Sequence, residues 1–144
     1  MALKQSKQVV AGFPAPTPYE ASCPVVITGE YVTVTGDVIG DIVEMGAIPA
    51  DCVPVDLIVD NGALGASATL DAGILSGEFA KFDNARTMGN EFFAASAAAT
   101  SGVIRCTSDQ SDRGFGIKFL GANPAAGQTI RVTLICRTKT VGIA

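Results

Sequence analysis

The chain has no histidine. The side chain that most often serves as a general base near neutral pH, and most often ligates metals, is therefore missing. Neither a Ser-His-Asp nor a Cys-His device can be built from what remains. Carboxylates could still work as an acid and base pair, but Asp37, Asp41, Glu44, Asp51, Asp56, Asp60 and Asp71 are scattered along the sequence. They read as solvated edges, the usual fate of Asp and Glu. The expectation is a protein without catalytic residues, cofactor or metal, and so not an enzyme.

Tryptophan is absent too, and aromatic residues make up 6% of the chain with no interleaved arginines that would offer bases a stacking platform. Net charge is -4, and the basic residues form no cluster of the kind that tracks phosphates, which argues against nucleic acid as a partner. No apolar run approaches the ~20 residues of a membrane span, because Asp, Glu, Lys or Gly interrupts each one. The start, Met-Ala-Leu-Lys-Gln-Ser-Lys-Gln, carries basic residues but lacks the apolar stretch of a signal peptide. A soluble chain with no membrane partner is expected.

Closely spaced cysteines are also lacking. Cys23, Cys52, Cys106 and Cys136 lie too far apart in sequence to supply the paired ligands of a structural zinc site. Disulfides would need an oxidising compartment that nothing in the sequence indicates. The cysteines read as buried, small apolar residues, and Cys136 continues the apolar face of Ile130, Val132 and Leu134.

What is present is apolar sequence in strand-like periods. With 144 residues the chain fits one domain, large enough to bury a core without cross-links. Hydrophobic residues reach 48%, against 17% charged. That is more than a lone soluble monomer needs, so self-association or docking on a larger assembly is expected to cover part of the surface.

The central stretch is the most regular. In Val53 to Asp60, Val55, Leu57 and Val59 alternate with Asp56, Ile58 and Asp60, and in Ala68 to Leu75, Leu70, Ala72 and Ile74 alternate with Thr69, Asp71 and Gly73. The two pieces look like antiparallel strands of one hairpin, with Asn61-Gly62 and Gly65 supplying the positive φ of a chain reversal. Further strands are expected over Val25 to Thr35, Val38 to Met45 with a break at Gly40-Asp41, Gly77 to Phe82, Val103 to Thr107, Phe115 to Leu120 and Gln128 to Thr138. Asn90 to Ala99, rich in alanine and cappable by Asn90 or Thr87, is the one helix candidate. Residues 1–24, with Pro14, Pro16, Pro18 and Pro24, read as an extended proline-rich arm ahead of a domain over 25–144. Seven or eight strands with turns between them predict an all-β, single-domain antiparallel β-sandwich or jelly roll with one short helix and an extended N-terminal arm.

The run Gly46 to Asp60, followed by Thr69-Leu70-Asp71-Ala72-Gly73-Ile74-Leu75, resembles the decoration or cement proteins of tailed bacteriophages, small virion proteins that accompany the major capsid protein. The resemblance covers about thirty residues of strand and turn. It implies a jelly-roll-like sandwich on the exterior of an icosahedral head, made in the host cytoplasm and binding major capsid protein, with copies bridging neighbouring subunits. A homo-oligomer, dimer or trimer, goes with that role. The expected contact elements are the arm, at Phe13, Pro14, Pro16 and Pro18, and the polar loop Ser108 to Gly114, at Asp109 and Arg113. Competing readings are a tail or head-completion subunit, and a carbohydrate-binding jelly roll for host attachment; the latter has only Tyr19 and Tyr31, with no tryptophan, for a sugar platform.

Overall fold

The computed structural model describes residues 1–12, 24–96, 100–103 and 109–138. Nine strands are found among them: β1 (Leu3–Gln5), β2 (Val25–Val32), β3 (Ile42–Ile48), β4 (Cys52–Asn61), β5 (Thr69–Ile74), β6 (Phe93–Ser96), β7 (Thr100–Val103), β8 (Arg113–Leu120) and β9 (Thr129–Thr138). One helical turn, α1 (Lys7–Val10), lies between β1 and β2.

The pairing is nested. β5 pairs with β6, β4 with β7, β3 with β8 and β2 with β9, all antiparallel, so the chain forms one long folded ribbon. The ribbon rolls up: β4 then joins β9, and β5 joins β8. Two sheets result, ordered β2-β9-β4-β7 and β3-β8-β5-β6, with β1 added parallel to β3. Eight strands in that order make a jelly roll, the two-sheet arrangement found in viral capsid domains.

The core lies between the sheets. Ile130, Val132, Leu134 and Cys136 of β9 face it with no exposure, as the period of two requires, opposite Phe115, Ile117 and Phe119 of β8. Cys52 joins Cys136 there, the small-apolar role expected of them, and burial pushes the Cys52 thiol pKa up. Cys23 and Cys106 lie outside the described residues. β3 is buried along its whole length. Its second face is covered from the segment 75–92, where Leu75 and Met88 pack on Ile42 and Arg86 pairs with Glu44, so apolar residues occupy both of its faces around that one charged residue.

Several sequence expectations are corrected. β4 and β5 exist where the alternation puts them, yet they belong to opposite sheets and do not form a hairpin. Period-two alternation marks an amphipathic strand without naming its partner. Asn61 still belongs to β4, and the positive φ values fall on Gly65 and Ser67, in a link that crosses between the sheets. Within β4 a bulge between Pro54 and Asp56 shifts the phase. Pro54 is buried and Val55 turns outward, although Val55 shares the parity of Leu57 and Val59.

The helix expected over Asn90 to Ala99 is instead a strand where it is described. β6 pairs with β5 while Phe92 enters the core. Alanine propensity is a weak prior, and a ten-residue isolated helix is marginal in water, so tertiary pairing overrides it. Gly77 to Phe82 is a turn and bends rather than a strand.

The extended arm does not begin at residue 1. Leu3 and Val9 are buried, β1 is hydrogen-bonded to β3, and Ser6 caps α1 while donating its hydroxyl to the Met45 carbonyl at 2.7 Å. The apolar positions of 1–12 close the edge of the sandwich, and these residues belong to the body.

Candidate interaction surfaces

Of the expected contact residues, Phe13, Pro14, Pro16 and Pro18 lie outside the described residues. Asp109 and Arg113 sit at the end of the sandwich where β3 turns into β4. Asp109 is exposed, and its carboxylate accepts hydrogen bonds from the Ser111 amide and hydroxyl, which hold its pKa below the usual range. The loop is tied down: Asp51 N–H donates to the Asp109 carbonyl at 2.7 Å, and Ala50 N–H to the Asp112 carboxylate at 2.9 Å. Arg113 is half-buried and opens β8 opposite Ile48. Asp51, Asp109 and Asp112, with Arg113 and Arg137 at the same end, make this end of the molecule charged.

The outer faces of the two sheets differ. On the five-stranded sheet, residues 75–92 are pinned by a buried ion pair, Arg86 to Glu44 at 2.8 Å. The same guanidinium donates to the Ser76 and Lys81 carbonyls. Met88 and Leu75 pack with Leu3 and Ile42 beneath this cover. The four-stranded sheet has no such cover among the described residues. Val26, Val55 and Ile58 stand exposed on it, with Thr28 exposed and Thr133 and Ile135 half-buried between them. Glu30, paired with Lys7 and Arg131, closes one margin. Those two cations, the Lys7 hydrogen bond foremost, lower the Glu30 pKa.

The most constructed feature is the link from β2 to β3, which sequence reading took for a strand end and a break. Val34-Thr35-Gly36-Asp37 and Val38-Ile39-Gly40-Asp41 are a tandem repeat, and each copy closes a four-residue turn with the same pair of hydrogen bonds, although only Gly40 of the two glycines takes a positive φ. Asp37 N–H donates to the Val34 carbonyl and the Asp37 carboxylate accepts from Val34 N–H at 2.8 Å. Asp41 does the same with Val38, at 3.1 and 3.2 Å.

Both carboxylates are buried, at 2% and 1% exposure, so these aspartates, like Glu44, are not the solvated edges expected of them. They are satisfied instead. Lys4 Nζ reaches Asp37 at 2.8 Å and Asp41 at 3.6 Å, Tyr31 O–H donates to Asp37, and Ala2 N–H donates to Asp41 at 2.7 Å. The hydrogen bond to Asp37 raises the Lys4 pKa, and burial together with the same carboxylate raises that of Tyr31. The visible signal in the sequence is the repeat itself, with aspartate closing each four-residue turn.

With the aspartates turned inward, Val34, Val38 and Ile39 are left outside at 50%, 43% and 49% exposure. The neighbouring loops at this end are 62–68 and 121–128, joined to it through Ile39 N–H to Asn123, Ala125 N–H to the Leu64 carbonyl, and Gly127 N–H to the Thr33 carbonyl. Neither loop contains a charged residue. The molecule thus has an uncharged end and, ~25 Å away along strands of eight residues, a charged one.

No group of three or more His, Cys, Asp or Glu among the described residues could hold a metal. No helix among them is long and apolar enough to cross a membrane. No family model matches the chain, and no curated protein does. Solved structures do. A chain from the capsid of Ralstonia phage GP4 is similar at 32% identity with a TM-score of 0.86, over 96% of this chain and 99% of that one. The fold also matches chains from the acid-stable capsid structure of Helicobacter pylori bacteriophage KHP30 (12% identity, TM-score 0.59, 84% and 92% covered) and from the capsid asymmetric unit of cyanophage Pam1 (15%, 0.61, 88% and 92%).

Proposed function

This chain belongs to the family of phage capsid proteins represented in the capsid of Ralstonia phage GP4 and has a structural role in the virion; on that premise we propose that it binds the outer surface of an icosahedral head and stabilises it by bridging neighbouring major capsid subunits. The observation that carries the reading is the 32% identity sustained over nearly the full length of both chains. Net charge supports the exterior. A wall facing packaged DNA gains from lysine and arginine that neutralise phosphates, and this chain carries -4 with its basic residues dispersed or paired to carboxylates.

Bridging needs separate contact surfaces on a body that does not deform. The sandwich offers an uncharged end, a charged end carrying Asp109 and Arg113, and a sheet face left uncovered among the described residues. Residues 13–18, with Phe13, Pro14, Pro16 and Pro18, are a further proposed contact. DNA under pressure pushes capsid subunits apart, and a clip across their boundary opposes this by the contact area that separation must expose. Copies on a repeating lattice act together, so a modest contact at each site suffices.

The test is co-sedimentation of the purified protein with shells stripped of accessory proteins, quantified as copies per major subunit. Saturation at a fixed ratio, with shells then surviving greater heat, is the expected result. Absence of binding to compact and expanded shells alike would overturn the proposal and favour a tail or head-completion role.

A further inference from the structure

We propose that the uncharged end of the sandwich, formed by residues 33–40, 62–68 and 121–128, is the surface that seats on an apolar, uncharged patch of the capsid shell, with Val34, Val38 and Ile39 as its anchors. This rests on the proposed shell-binding role and gives it an orientation.

Two observations made independently of the comparisons support it. The first is charge. In a chain with 24 formally charged side chains, counting 10 Lys and Arg with 14 Asp and Glu, these three loops carry only Asp37, and that carboxylate is buried against Lys4 and Tyr31. What reaches solvent here is Val34, Val38 and Ile39, with Ala63, Ala66, Ala125 and Ala126 and the uncharged polar Thr35, Ser67 and Asn123 around them. An uncharged surface excludes phosphate backbones and anionic headgroups as favoured partners and fits an apolar protein surface.

The second is construction. Exposed valine and isoleucine on a loop would ordinarily fold inward or move. Here the tandem turns hold them out by hydrogen bonds that two buried carboxylates accept from the Val34 and Val38 amides, and Ile39 is fixed further by donating its N–H to the Asn123 side chain. Ordering is thus already met before any partner arrives, which raises the affinity obtained from a small contact. Aspartate and lysine are costly to bury, and a loop that only had to reverse the chain would not need them.

The size of the patch selects the occupant. Three branched side chains about half exposed, rimmed by alanines, offer a few hundred Å², short of the ~800 Å² per partner that a stable two-body interface buries. Such a patch is a poor sole contact for a second free copy. It works where many copies meet a repeating lattice, as on a shell.

The experiment compares wild type with Ile39→Asp, Ala66→Asp and Ala125→Asp, one charge in each loop, and with Glu78→Lys as an exposed control away from this end. Each is bound to stripped shells, with thermal melts to show that the fold is kept. The three aspartate variants are expected to bind about tenfold more weakly or worse, and Glu78→Lys to bind as wild type. If wild type binds and all three variants bind equally well, the orientation is wrong while the shell-binding role stands. If wild type itself fails to bind, the role is wrong. Two further results would overturn the proposal: flotation of wild type but not Ile39→Asp with neutral or anionic vesicles, showing a membrane partner, and a wild-type oligomer in sedimentation velocity that Ile39→Asp dissolves, showing a self-contact.

Discussion

Lys4, Tyr31, Asp37 and Asp41 show how a residue's role departs from its type. Aspartate is a surface residue by default, and from sequence these two read as such; Tyr31 lies only six residues before Asp37, but Lys4 is thirty-three residues away in the chain and is brought close only by the pairing of β1 with β3. Asp37→Ala would leave the Tyr31 hydroxyl and the Val34 amide without their acceptor and the Lys4 ammonium with only Asp41, at 3.6 Å. A loss of about 2–4 kcal/mol in urea unfolding is expected. The cluster also sets an alkaline limit. Because the folded state holds the Lys4 proton more tightly than the unfolded chain, its contribution is intact below the ordinary value of 10.5 and is lost as pH climbs through the raised value. Tyr31 acts in the same direction, from its ordinary value of 10.0 upward. Melting temperature should therefore fall as pH rises past the ordinary values of 10.0 and 10.5, and fall less steeply in Lys4→Met; equal slopes would refute the assignment.

At the scale of elements, strand positions were largely legible and strand partners were not. β9 is readable because one face is fully buried and the other is polar, the condition under which alternation is clean. β3 conceals its phase because both of its faces are covered, and β4 breaks phase at a bulge that no local pattern announces. The cover over β3 depends on close approach at Gly116, where a Cβ would overlap the Val43 carbonyl oxygen and meet Leu75 at 3.1 Å. Gly116→Ala should cost about 2–4 kcal/mol, since a backbone atom must yield. Arg86→Met removes one partner of the buried pair and leaves Glu44 uncompensated, for a loss of about 3–5 kcal/mol. It should also release residues 75–92, so trypsin cleavage at Lys81 should become faster than in wild type; an unchanged rate would mean that apolar packing through Met88 and Leu75 holds the cover by itself.

For the whole molecule, the nested pairing of β2 with β9, β3 with β8, β4 with β7 and β5 with β6 separates surfaces that a clip needs apart. It places the uncharged loops together at one end and Asp51, Asp109 and Asp112 at the other. The all-β class, the single-domain size and the absence of histidine chemistry were determined by composition and by period-two alternation, because burial of one strand face is a local requirement written residue by residue. Part of the apolar excess stands exposed, at Val26, Val34, Val38, Ile39, Val55 and Ile58. Which strands pair, which loops share an end and which aspartates turn inward were decided only by the tertiary structure, because pairing in a jelly roll joins residues across almost the whole chain. The unplaceable residues in the sequence, two V-x-G-D turns and two alanine-glycine loops, become one surface only after the ribbon has rolled up.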